Sequence, residues 1–203
     1  MREQPYFSGS LFNNLGHRKY LNAAERQRFI RAALHVSIAI RLFCLTLFWS
    51  GARISEVLAL TPAAIDIESG VINITTLKRR RRGLVRQVPL PRSLLTALNR
   101  VFRLRHRLRE PKRATERLWK WSRTTAWRYV KAVMIAAGII GAPATPKGLR
   151  HAFGVHAVRS GVPLHLVQKW LGHASIRTTA IYLDVIGPEE RGIATRMWTP
   201  TTK

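Results

Sequence analysis

The stretch Val36 to Ser50 constrains this chain more than any other. It is apolar nearly all round, with Arg41 its one charged residue, and it stops at Gly51. A helix without a polar face has to be surrounded by other elements rather than laid on a surface. A glycine just past its end suits the left-handed C-cap conformation. A buried central helix is therefore expected, and 203 residues with 46% hydrophobic content, six Trp and seven Phe supply enough apolar material to enclose it. The same stretch is no membrane span. Arg31, Arg41 and Arg53 leave at most eleven uncharged residues in a row, where a spanning helix needs about twenty. The chain opens Met1-Arg2-Glu3-Gln4-Pro5 without a signal-type apolar core, so a cytoplasmic protein is expected. Cys44, the only cysteine, sits inside the apolar run. That excludes an internal disulfide and a thiolate metal site and predicts a buried, inert thiol.

Local punctuation divides the rest. Residues 1–20 show no sustained period and read as an irregular arm. Asn22-Ala23-Ala24-Glu25 has the form of a capping box and predicts a helix to about residue 34. A short helix from Arg53 to Leu60 follows the central one, closed by Thr61-Pro62. Val71 to Leu77 and Leu84 to Pro89 are rich in β-branched residues and flank Lys78-Arg79-Arg80-Arg81-Arg82-Gly83, a pattern that predicts a hairpin with a basic tip. Pro91 opens a helix expected to carry Arg100, Arg103 and Arg107 as one basic stripe, and residues 110–121 read as a basic connection. In the last third, helices are expected over Thr124–Ala137, from Pro146 to Ser160-Gly161, over Pro163–Leu171 before Gly172, and from Ser175 onward, the last carrying Tyr182. The fold class is mostly α with a small antiparallel β-sheet, an α+β domain without a dividing linker.

Charge points to the partner. Thirty-five Lys+Arg against ten Asp+Glu give a formal charge of +25. Residues 69–183 hold 24 of those cations and only two acids, Glu110 and Glu116. A folded chain with a strongly basic middle and near-neutral ends presents a surface suited to tracking phosphates. Arg79, Arg80, Arg81 and Arg82 at the hairpin tip, with Arg123, Arg128, Lys131 and Arg177, are the candidates for contacts to double-stranded DNA.

Five residues form a possible reactive set. Arg53 starts a short helix directly after the buried one, with Glu56 one turn on. Lys147 and Arg150 share a helical face, His173 sits at a helix-to-helix junction, and Tyr182 follows nine residues later. Taken singly, Arg53 reads as a surface residue, His173 as a satisfied junction histidine and Tyr182 as a core-edge residue. As a set they are what phosphodiester transfer without a metal or cofactor needs. Paired guanidinium N–H donors can hold the non-bridging oxygens of a phosphorane-like transition state. A phenol can form the covalent intermediate. A hairpin lysine, Lys78, can protonate the leaving 5′-hydroxyl, with Lys147 and His173 bonding the phosphate or assisting proton transfer.

The order Arg53, ninety-seven residues to Arg150, twenty-three to His173 and nine to Tyr182 resembles the tyrosine recombinase, or phage integrase, family. The matching segments are Gly51-Ala52-Arg53-Ile54-Ser55-Glu56-Val57-Leu58, then Leu149-Arg150-His151-Ala152-Phe153-Gly154-Val155-His156, then Leu171-Gly172-His173 through Thr178-Thr179 and Tyr182. The resemblance covers about residues 20–187. It implies that Arg53 and Arg150 hold the scissile phosphate, that Lys78 protonates the leaving oxygen, that His173 supports the phosphate and that Tyr182 attacks to give a 3′-phosphotyrosyl link. Glu56 and His151 would support the site. It also implies a homo-tetramer on paired DNA sites, with a C-terminal segment from about residue 188 passed between protomers.

Three departures from the family pattern stand out. Lys147 occupies a position where the family commonly has His, and four arginines follow Lys78. The catalytic-domain pattern begins by about residue 20 without the family's N-terminal core-binding domain, so the chain is similar in size to the short fimbrial-switch invertases and an accessory DNA-clamping protein is a possible partner. Two other readings stay open from sequence: a non-catalytic DNA-binding or regulatory relative, and a monomeric topoisomerase that shares the chemistry.

Overall fold

A computed structural model describes residues 11–76, 83–183 and Thr195. The central apolar helix is α2, Ile38–Ser50, and Gly51 caps it at φ +60°. Helix α1, Ala23–Ala33, begins with the expected capping box, Asn22 accepting from the Glu25 N–H and Glu25 from the Asn22 N–H. Phe29 of α1 stacks on Phe48 of α2, their ring centroids 5.9 Å apart, and the Arg26 guanidinium lies 4.1 Å over the Phe48 ring. Cys44 is buried in this core, and desolvation pushes its thiol up to about 12, so the thiolate is suppressed. No helix among the described residues is long and apolar enough to cross a membrane.

After α2 the chain makes α3, Ile54–Leu58, and a 3-10 turn over Pro62–Ala64. Then comes the sheet: β1, Ile65–Asp66, β2, Val71–Thr75, and β3, Val85–Pro89, antiparallel in that order. Ile72 and Ile74 of β2 and Val88 of β3 face the core. The short strand β1 leaves no signal in the sequence, because two residues show no alternation.

Helix α4, Arg92–Phe102, does not continue as one basic stripe. It breaks at Arg103, which is at φ +50°, and α5, Leu104–Arg107, leaves in a new direction. Leu104 is fully buried at the break, so packing of that leucine competes with helix propagation. The 110–121 connection contains a one-turn helix, α6, Pro111–Ala114. Its Trp119 is buried between Phe43 and Phe102, with its indole N–H donating to the Ala39 carbonyl.

Helices α7, Arg123–Ala136, α8, Pro146–Arg159, and α9, Leu164–Leu171, follow the Pro and Gly punctuation. The last helix, α10, spans only Arg177–Ala180, and Tyr182 lies in the turn after it rather than on a helix. Residues 11–20 of the arm are fastened to the domain. Phe12 and Arg18 form a bridge, Leu11 is buried, and Arg18 pairs with Glu25 of α1. Leu11 joins Phe153, Val167, Leu171 and Tyr182 in a second, smaller apolar cluster. Tyr182 is thus built into a core of its own beside the main one.

Candidate active site

Arg150 is the centre of the site. Helix α8 starts on the Thr145 side-chain cap with Pro146 in its first turn. Gly148 lets it pass close to the preceding loop, for a Cβ there would lie 1.9 Å from the Pro143 carbonyl oxygen. Arg150 is then buried, donating from Nη1 to the Gly51 carbonyl at 2.7 Å and from Nη2 to the Leu171 carbonyl at 2.5 Å. Both carbonyls stand at helix C-termini, the ends of α2 and α9, where acceptors lack intrahelical partners and the helix dipole is negative. One guanidinium therefore pins three helices together. Those bonds use two of its five N–H donors. Burial, helped by Arg53, draws its pKa down to about 9, which leaves it cationic at neutral pH.

Glu56 organises two more arginines. It is almost fully buried, and its carboxylate accepts from the Arg53 N–H at 2.8 Å, from Arg53 Nη1 at 2.8 Å and from Arg86 Nη2 at 2.6 Å. Burial opposes its charge, but the Arg86 hydrogen bond and the charges of Arg86 and Arg53 outweigh burial and hold its pKa below the usual carboxylate range. Arg53 is the N-cap of α3 and keeps its side chain 36% exposed, turned to the cleft.

Arg86 was not among the residues singled out from sequence. It is 6% exposed and donates to Glu56, to Thr76 Oγ1 and, from Nε, to the Trp170 carbonyl at 2.8 Å. With Arg150 it caps the C-terminal end of α9. Its signal was available: in β3 it shares the core face with Val88, and an arginine on the buried face of a strand demands a carboxylate partner.

The last parts come from the chain after α9. Gly172 closes α9 at φ +64° and turns the chain so that His173 faces the cleft. His173 Nδ1 lies 2.9 Å from Thr179 Oγ1, and its ring is stacked against Tyr182 at 6.3 Å between centroids. Burial, with Arg150 and Arg53, pulls its pKa down to about 3. Tyr182 is 2% exposed, its Oη 3.3 Å from His151 Nδ1. Desolvation pushes the phenol up to about 12 against the pull of Arg150 and Arg53, so it is neutral at rest.

Arg53, Lys147, Arg150, His151, His173 and Tyr182 all line one cleft of about 720 Å³. Lys147 is exposed at its rim. Arg123, the first residue of α7, and Trp127 line the same cleft. Arg128 and Arg177 are exposed outside it. Lys131 donates to the Ala144 carbonyl and so fastens the loop before α8. Lys78 and Arg79, Arg80, Arg81 and Arg82 lie outside the described residues. Thr76, two positions before Lys78, lines the cleft. Part of the basic 99–131 region is spent on ion pairs, Arg105 with Glu68, Arg107 with Glu116 and Arg113 with Glu110. The cleft is a cationic pocket that can hold an oxyanion beside a buried phenol.

The sequence model of the Phage integrase family matches residues 19–186. The chain belongs to this family. It is 33% identical over 172 residues to tyrosine recombinase XerA of Pyrococcus furiosus, an alignment covering 82% of this chain and 57% of that protein. To tyrosine recombinase XerD of Bradyrhizobium diazoefficiens it is 30% identical over 197 residues, covering 85% and 60%. The chain thus spans between half and two thirds of the curated relatives it matches. The crystal structure of XerA recombinase superposes with a TM-score of 0.71 at 25% identity, covering 89% of this chain and 64% of that one. A pre-cleavage complex of XerH recombinase with its difH substrate superposes at 0.69 and 20% identity, covering 93% and 60%. The mostly helical architecture with a three-stranded antiparallel sheet is that of the tyrosine recombinase catalytic domain.

Proposed function

We propose that this chain cleaves and rejoins double-stranded DNA at specific sites through a 3′-phosphotyrosyl intermediate on Tyr182. The observation that carries the reading is the cleft, which gathers guanidinium, ammonium, imidazole and phenol groups from residues 53 to 182 around one shared space. Arg53 and Arg150 grip the non-bridging oxygens, and their rigid mounting on Glu56, Gly51 and Leu171 means little reorganisation as negative charge builds up. Lys147 adds charge from the rim, and His173 donates to the phosphate. Tyr182 attacks phosphorus, and Lys78 protonates the departing 5′-oxygen. The covalent link keeps the bond energy for rejoining, so no high-energy cofactor is needed.

Recombination exchanges strands between two duplexes, four cuts in all, and each protomer carries one tyrosine in this cleft. A homo-tetramer assembled on two sites is therefore the working form, with free protomers or dimers in the cytoplasm. Complexes of recombinases with DNA among the structural neighbours support DNA as the partner. A nicked suicide duplex incubated with wild type and with Tyr182→Phe tests the activity. Wild type is expected to leave a denaturant-resistant protein–DNA adduct and Tyr182→Phe none; wild-type binding to candidate sites without an adduct favours the non-catalytic DNA-binding reading.

A further inference from the structure

We propose that His151 is the proton acceptor for Tyr182, taking the phenolic proton at Nδ1 as Oη attacks phosphorus. This rests on the cleavage reading above and adds the group that activates the nucleophile.

Among the described residues, His151 Nε2 is the single buried side-chain nitrogen or oxygen without a hydrogen-bond partner. The ring is 9% exposed, and its Nδ1 faces Tyr182 Oη at 3.3 Å. A phenol is a better donor than acceptor, so Tyr182 donates to Nδ1 and the remaining proton of the neutral imidazole sits on the orphaned Nε2. In that tautomer the hydroxyl hydrogen points into the protein, and the oxygen lone pairs are free to face the cleft. Leaving a buried ring nitrogen unsatisfied carries a desolvation penalty, one that a purely structural residue at this position would not need to bear. His173 is not placed for the task, because its Nδ1 is engaged with Thr179 and its ring lies along the face of Tyr182.

The step balances. The Oη–P bond forms, the Oη proton passes to Nδ1, and the P–O5′ bond breaks with the 5′-oxygen protonated by the lysine assigned above. Rejoining reverses each transfer, the imidazolium returning its proton to the phenol oxygen.

The surroundings tie this base to substrate. His151 is faced by Lys147 and Arg150 of its own helix, by Lys19 of the arm, by His173 and by Tyr182. Burial first, then Lys147, Arg150 and Lys19, draw its pKa down to about 4, so in the empty cleft it is a weak base and Tyr182 keeps its proton. Two of those cations, Arg150 and Lys147, are the ones a phosphodiester would neutralise. A bound phosphate removes their repulsion and adds negative charge nearby, which makes an imidazolium tolerable. The nucleophile is activated where a phosphate is present and stays inert elsewhere.

The test is single-turnover adduct formation on a nicked suicide duplex at saturating protein, from mildly acidic to alkaline buffer, comparing wild type, His151→Asn and His151→Ala. The Asn carbonyl can accept the phenol hydrogen bond near the Nδ1 position but cannot take the proton. Near neutral pH both variants are expected to cleave about 10²-fold more slowly, the rate climbing roughly tenfold per pH unit as hydroxide replaces the lost base. Wild type should vary little over the same range. His151→Asn cleaving at the wild-type rate, or slowed by one constant factor at every pH, overturns the inference. A wild type that forms no adduct overturns the cleavage reading and this step with it.

Discussion

The hydroxyl end of the Tyr182 ring rests on Gly154 of α8, so closely that a Cβ on residue 154 would lie 2.4 Å from Cζ and 2.5 Å from Cε2. The backbone of α8 is therefore the floor of the tyrosine's seat. Gly154→Ala cannot be absorbed by a flexible neighbour, since the atoms met are a rigid ring held by His151 and His173. It should move Tyr182 Oη out of reach of His151, lower stability by about 1–3 kcal/mol through overpacking and slow adduct formation by about 10²-fold or more. Duplex binding should be nearly unchanged, because the basic surface is untouched. Gel-shift affinity measured beside adduct yield separates the two effects.

Arg86 should matter to folding as much as to chemistry. It joins β3, α3 and α9 through Glu56, Thr76 and the Trp170 carbonyl. Arg86→Ala leaves Glu56 buried with only Arg53 to balance it, and breaking a buried pair from one side costs about 3–5 kcal/mol. Denaturant titration should show a loss in that range, well above the loss for Arg128→Ala, whose side chain is exposed.

Arg150→Lys keeps a positive charge but not the planar fork. A single ammonium cannot hold the Gly51 and Leu171 carbonyls and still present paired donors to a phosphate. Cleavage should fall by about 10²–10³-fold, while the salt dependence of duplex binding, which counts phosphate contacts over the whole surface, should change little. Equal losses in cleavage and in binding would contradict the assignment.

Acid should loosen the fold through its histidines. His151 and His173 have folded-state pKa values near 4 and 3, below the 6.5 of an unfolded imidazole. Between those values the unfolded chain binds more protons than the folded one, so stability rises with pH across this window and is lost as pH falls through 6.5. For His151 the difference amounts to about 3 kcal/mol between neutral pH and pH 4. Tm measured across this interval should drop steeply for wild type and less steeply for His151→Asn.

Much of the architecture was legible residue by residue. The capping box at Asn22, the glycines after α2 and α9, and the proline opening α8 act within one or two turns of backbone, and each predicted boundary falls within a few residues of the observed one. The spacing of Arg53, Arg150, His173 and Tyr182 likewise identified the family before any fold was known, because a reaction that needs two guanidinium groups, an imidazole and a phenol restricts which residues can recur in that order.

Contacts between distant segments were not legible. The break at Arg103, the end of α10 before Tyr182 and the ion-paired share of the basic surface arise where one element meets another far along the chain. The same holds for Arg150 as the clamp on three helices beside the cleft, and for Arg86 as the partner of Glu56. Helix periods and caps are written by neighbours three or four residues apart, so a linear reading captures them. A buried charge is tolerated only where its partners converge from elsewhere, and that convergence exists once the core around α2 has closed.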